Sequence, residues 1–168
     1  NYIQQLTPQL RPALVGGVAG GILILIFSGI SYQYLPVEFI TAGENLTLPW
    51  YTKLLYGGIT EELLIRWGLM SLLVWGSYQL TQPKGQAIKN YNYLLAIVIS
   101  ALLFGAGHLP IAFELSPEIT LALVSYIVLA NAAFGVIAGY LFWKHGLECA
   151  MAAHIIAHLT MMIGSPLI

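Results

Sequence analysis

Residues 57–66 read Gly57-Gly58-Ile59-Thr60-Glu61-Glu62-Leu63-Leu64-Ile65-Arg66, three charges set inside an apolar run that extends from about Trp50 to Leu80. A charged side chain near mid-bilayer costs roughly 2.5–3.5 kcal/mol for Asp, Lys or Arg even on lenient insertion scales. A membrane helix that carries three such groups within two turns needs a use for them. On an α-helix Glu62 and Arg66 stand at i,i+4 and can pair, whereas Glu61 is rotated about 100° from Glu62 and points elsewhere. One glutamate is then neutralised in place and the other left free. Taken alone, the cluster also suits a structural salt-bridge network or a transport pathway.

The rest of the chain decides that this run lies in a membrane. Apolar residue types make up 58% of the 168 residues and charged types 8%, against the roughly 25% charged of soluble domains. The net charge of −1 offers no basic surface to a nucleic-acid backbone, so no nucleic-acid partner is expected. The single cysteine, Cys149, excludes an intrachain disulfide framework and is expected to pack as a small apolar residue.

Crossing a hydrocarbon core of ~30 Å takes about 20 residues, and five runs qualify. They extend from about Ala13 to Ile30, Trp50 to Leu80, Tyr91 to Leu109, Ile119 to Trp143 and Gly146 to Ile163. Gly16, Gly17, Gly20 and Gly21 in the first give small-xxx-small spacings that admit a neighbouring helix. Short polar or Pro-containing connections separate the runs: Ser31 to Pro49, Thr81 to Asn90, Leu109 to Pro117 and the turn Lys144-His145-Gly146. With no repeat and no low-complexity tract, the expected fold is an all-α, polytopic transmembrane bundle of about five spans. It divides into an N-terminal helix and loop, 1–45, and a helical core, 46–168. Because the chain begins at Asn1 rather than Met, these span counts are minimum counts. Arg11, Lys84, Lys89 and Lys144 fall on one side if five helices alternate, which predicts a cytoplasmic face there. Glu38, Glu44, Glu114 and Glu118 fall on the other, with Lys53 against the trend.

Three of the four histidines lie in or at the end of apolar runs, and His145 lies in a connection. His108 closes Phe104-Gly105-Ala106-Gly107-His108, where a lone imidazole commonly satisfies a neighbouring carbonyl. His154 and His158 share one face of the last helix at i,i+4, a spacing that can bring two imidazoles to a common point in a metal or oxyanion site.

The order Glu-Glu-xxx-Arg, Phe-xxx-His, His-xxx-His, each on its own span, resembles the CAAX prenyl protease type II, or CPBP (Abi), family. That family carries EExxxR, FxxxH and a third motif, usually HxxxN, and the likeness covers roughly Trp50 to the C-terminus. It implies that 46–168 is a catalytic core and that the chain is a multi-pass intramembrane endopeptidase using a glutamate-activated water. By the resemblance Glu61 is the base, His108 orients the water, and His154 with His158 donates hydrogen bonds to the oxyanion. Glu62 and Arg66 form the ion pair behind them. The implied substrate is a peptide or protein met in the lipid bilayer, with CAAX-type prenylated tails the family's own case. No cofactor is required in this mechanism. The alternative is a zinc ion held by His154 and His158 with His108 or Glu61.

His158 stands where many relatives have Asn; neutral His donates one hydrogen bond as Asn does, but ligates metals better. No serine or cysteine occupies a nucleophile motif. Two rival classes are a non-catalytic bacteriocin-immunity or membrane-assembly factor on the same scaffold, and a transporter relaying protons through the cluster.

Overall fold

The computed structural model describes residues 2–165, with side chains from Thr7 onward; residues 1 and 166–168 of the two expected regions lie outside it. All regular structure among the described residues is helical. Helix α1 (Tyr2–Ser31) runs into a 3-10 turn, Tyr32–Tyr34, and a short α2 (Val37–Asn45) follows. Residues 50–81 are continuously helical. They comprise α3 (Trp50–Thr52), two π-helical segments, Lys53–Glu61 and Leu63–Met70, and α4 (Ser71–Thr81). Then come α5 (Asn90–Gly107), α6 (Leu109–Leu115), α7 (Leu121–His145) and α8 (Leu147–Gly164).

Four helical stretches are long and apolar enough to cross a membrane: Thr7–Tyr34, Asn90–Leu115, Leu121–His145 and Leu147–Gly164, with mean hydropathies from 1.4 to 2.3. The expected span at 50–80 is helical throughout, and its charges set it apart from these four. The protein is thus an all-α, multi-pass membrane bundle. Large apolar side chains such as Leu72, Trp75 and Leu102 point outward, as a lipid-facing surface requires.

The connections are more ordered than their composition suggests. The stretch from Ser31 to Pro49 contains α2, and that from Leu109 to Pro117 is helical to Leu115. Pro110 does not prevent this because it occupies the first turn of α6, where a backbone N–H lacks an intrahelical partner anyway. Lys144 and His145 belong to α7, leaving Gly146 to make the turn at φ 98°. Its backbone N–H closes the helix on the Phe142 carbonyl at 3.1 Å.

Lipid tails are as apolar as leucine, so these helices associate by close packing and polar contacts rather than by escape from water. The α1 glycines show this directly. A Cβ on Gly17 would lie 2.5 Å from the Ala153 carbonyl oxygen and 2.6 Å from Ile156 Cβ; one on Gly21 would lie 2.6 Å from Thr160 Cβ. Only hydrogen fits, and α1 therefore seats against the α8 backbone. Cys149 packs there with Ala13, Leu141 and Ala153, as a small apolar residue does. On the other side of α8 lies helix 50–81, and α5 and α7 close the bundle with Phe104 and Phe134 at its centre.

Candidate active site

Glu61 and Glu62 are adjacent on the charged helix and both reach the imidazole of His154. Glu62 Oε1 accepts the Nδ1–H of His154 at 2.8 Å, while Glu61 Oε2 lies 3.9 Å from its Nε2. Glu62 pairs with Arg66, while Glu61 approaches the opposite ring nitrogen of His154 and lines a cavity. The helix is π-helical on either side of Glu62. Such windings are rare and concentrate at functional sites.

The paired half of the cluster is as expected. Arg66 Nε lies 3.2 Å from Glu62 Oε2, with both side chains wholly buried. The atoms are close but not aligned for a hydrogen bond, so the pair is held by charge rather than by a directed bond. The guanidinium also stands over the Phe104 ring, 5.1 Å from its centroid, where the ring face attracts a cation. Glu62 thus joins Arg66 on one side to His154 on the other.

His108 caps α5 at the break before Pro110. Its Nδ1–H donates to the Phe104 carbonyl at 2.8 Å. A neutral ring so bonded presents the Nε2 lone pair outward, and here Nε2 lies 4.0 Å from Glu61 Oε1. Phe104 therefore serves its motif three times over: its carbonyl fixes the His108 tautomer, its ring supports Arg66, and it meets His108 edge-on at 4.8 Å. The motif letter was legible in the sequence, but these tasks were not.

His154 and His158 do share a face of α8, with rings stacked 4.9 Å apart and 9° from parallel. Only His154 turns to the glutamates; His158 Nε2 is buried against Gly57, without a hydrogen-bond partner among the described residues. A Cβ on Gly57 would collide with that nitrogen, and one on Gly58 with Ile155. These two glycines let helix 50–81 approach α8 closely enough for its glutamates to reach the histidines.

Glu61, His108, His154 and His158 all line one cavity of about 470 Å³. Glu61 is 18% exposed and His108 31%, whereas His154 is nearly closed off at 5%. Most of the wall is apolar, with Ile24, Leu64, Leu103 and Met161 among its residues. Lys53 and Asn131 also line it, and sequence reading had assigned neither to the site. Phe134 lies against the His154 ring at 4.4 Å.

Residues 43–160 match the family described as type II CAAX prenyl endopeptidase, Rce1-like. The chain belongs to that family. Searches of curated proteins and of solved structures gave no match. As a type II CAAX prenyl endopeptidase of the Rce1-like kind, the protein is a membrane-embedded protease that acts on protein substrates. The matched segment of this endopeptidase contains all three motifs, from Glu61 to His158. Zinc sites gather three or four donors around one point. Among the described residues no three His, Cys, Asp or Glu side chains are grouped to hold a metal ion.

Proposed function

We propose that Glu61 activates a water molecule for attack on a peptide bond held in the cavity, with His108 orienting that water. The observation that carries the reading is the placing of Glu61 between two imidazole nitrogens, at 4.0 and 3.9 Å. These separations are too long for direct hydrogen bonds and suit a bridging water. A carboxylate in a largely apolar, partly closed cavity has few competitors for the proton it accepts.

His154 and His158 are the proposed donors to the developing oxyanion. His154 already donates from Nδ1 to Glu62, so it can donate from Nε2 only in its doubly protonated form. Glu62 would orient that ring and balance its charge, the part a carboxylate plays beside the histidine of a serine-protease triad. Arg66 then balances Glu62 and holds the helix in register. The substrate is proposed to be a prenylated C-terminal tail, whose lipid chain the apolar cavity wall and the surrounding bilayer would accept. No metal is needed in this scheme.

The test is turnover of prenylated and unprenylated peptides by purified protein, with and without chelator, in the wild type and in Glu61→Gln. The variant keeps the shape of the side chain and loses the base. Its kcat is expected to fall by about 10²–10⁴-fold, with an unchanged melting temperature. Wild-type turnover in Glu61→Gln would refute the assignment.

A further inference from the structure

We infer that Lys53 binds the carboxylate at the C-terminal end of the substrate, so that the cavity measures its cut from the end of the chain. This rests on the Glu61 reading above and names what the rest of the cavity recognises. Lys53 is partly buried and lines the same cavity as Glu61 and His108. It is the one Lys or Arg in that wall, whose other ionisable groups, tyrosine apart, are Glu61 and the three histidines. Among the described residues Lys53 makes no ion pair.

That solitude is notable because carboxylates lie at the same end of the bundle. Long helices alternate in direction, so Glu38, Glu44, Glu114 and Glu118 share that end with Lys53, while Arg11, Lys84, Lys89 and Lys144 lie toward the other. Lys53 lines the cavity and, among the described residues, pairs with none of these carboxylates. An anionic oxygen group entering the cavity would meet it as the local attraction in an otherwise acidic surround.

The spacing identifies which anion fits. Lys53 precedes Glu61 by eight residues on a continuous helix, an axial rise of about 12 Å at α-helical pitch and somewhat less in the wider π winding. A C-a-a-X tail carries its lipid on a cysteine three residues from the terminus, and a cut inside it leaves at most three residues beyond the scissile bond. Three extended residues span at most about 10–11 Å. A peptide bond held at Glu61 therefore delivers the terminal carboxylate to the level of Lys53, whose flexible four-carbon stem takes up the difference. A lipid-headgroup phosphate offers the same anionic oxygens, but nothing fixes its distance from Glu61.

The decisive measurement is binding, which needs no turnover. A prenylated peptide ending Cys-Val-Ile-Met is presented as free acid and as C-terminal amide to Glu61→Gln protein in nanodiscs of zwitterionic lipid. The measurement is repeated with Lys53→Met or Lys53→Arg added. The acid is expected to bind about tenfold to hundredfold tighter than the amide. Lys53→Met should bring the acid down to the level of the amide, and Lys53→Arg should keep the preference. Equal affinity for the two forms with Lys53 in place, or an undiminished preference in Lys53→Met, overturns the inference. So does a Lys53 effect seen only when anionic lipid is added, which would assign the lysine to a headgroup. The Glu61 reading stands or falls separately, on the turnover of Glu61→Gln.

Discussion

Helix α8 is approached closely from two sides, and in both cases glycine makes the approach possible. Against α1, Gly17 and Gly21 face the backbone of Ala153 and Ala157 and the side chains of Ile156 and Thr160. The polar group there, the Thr160 hydroxyl, is satisfied within α8 by the Ile156 carbonyl at 2.8 Å. Against helix 50–81, Gly57 and Gly58 face His158 and Ile155, and the next turn brings Glu61 and Glu62 to His154. The α1 contact is mainly packing, joined by the Cys149 thiol donating to the Gln9 carbonyl at 3.6 Å. The other uses the same closeness to enclose charges that lipid would not tolerate, and it leaves Glu61 partly open to a cavity. The contrast separates what holds the bundle together from what the bundle is for.

Substitutions on the two sides should therefore fail differently. The largest loss of stability is expected from Glu62→Ala, which strands the wholly buried Arg66 and removes the acceptor for His154 Nδ1. Breaking a buried pair by deleting one partner costs about 3–5 kcal/mol, read here as a lowered melting temperature in detergent together with lost activity. An unchanged melting temperature would show that the pair is not structural. Gly21→Val on the α1 side should lose about 1–3 kcal/mol by overpacking, with activity per folded molecule preserved. Gly57→Ala should do the reverse: its methyl displaces the His158 ring, lowering kcat/KM on the order of tenfold (~1.4 kcal/mol) while stability changes little. If Gly21→Val harms specific activity as much as Gly57→Ala does, the division between the two contacts is wrong.

Much of this was legible in the sequence because membranes leave few options. Apolar runs of adequate length must be helices, and charges inside them must find partners. The Glu62–Arg66 pair follows from i,i+4 spacing, and the glycines of α1 announce a close neighbour. What could not be read was geometry set by winding and by contact between distant elements. The π-helical winding of 53–61 and 63–70 is one such feature, since the sequence there reads as a regular α-helix. The i,i+4 spacing of His154 and His158 placed them on one face, but did not show the closing of His158 Nε2 by Gly57 from another helix. Lys53 read as a loop charge against the topological trend, because nothing in its neighbours along the chain shows that it faces a cavity.

The smallest expected effect is the most discriminating, and it concerns His158, where the third motif reads His-xxx-His. The His158 ring is stacked on His154, its Nε2 buried at Gly57 and unpaired among the described residues. If its task is to offer a hydrogen bond to the oxyanion, His158→Asn retains a donor of similar reach, and kcat/KM should stay within about tenfold of wild type, or ~1.4 kcal/mol in barrier. His158→Leu, with no donor, should lose about 10²–10³-fold, the usual effect of deleting one oxyanion donor. If His158 is instead a zinc ligand, Asn is a poor replacement, and metal content and activity should fall together, with partial recovery on adding zinc. The two outcomes are separated by measuring kcat/KM and bound metal on the same preparations. Stoichiometric zinc in active wild type, lost in step with activity in His158→Asn, would replace the donor role with a metal one. Either role requires His158 to turn a ring nitrogen toward the cavity, since in the stacked arrangement its Nε2 faces Gly57 rather than Glu61 and His108.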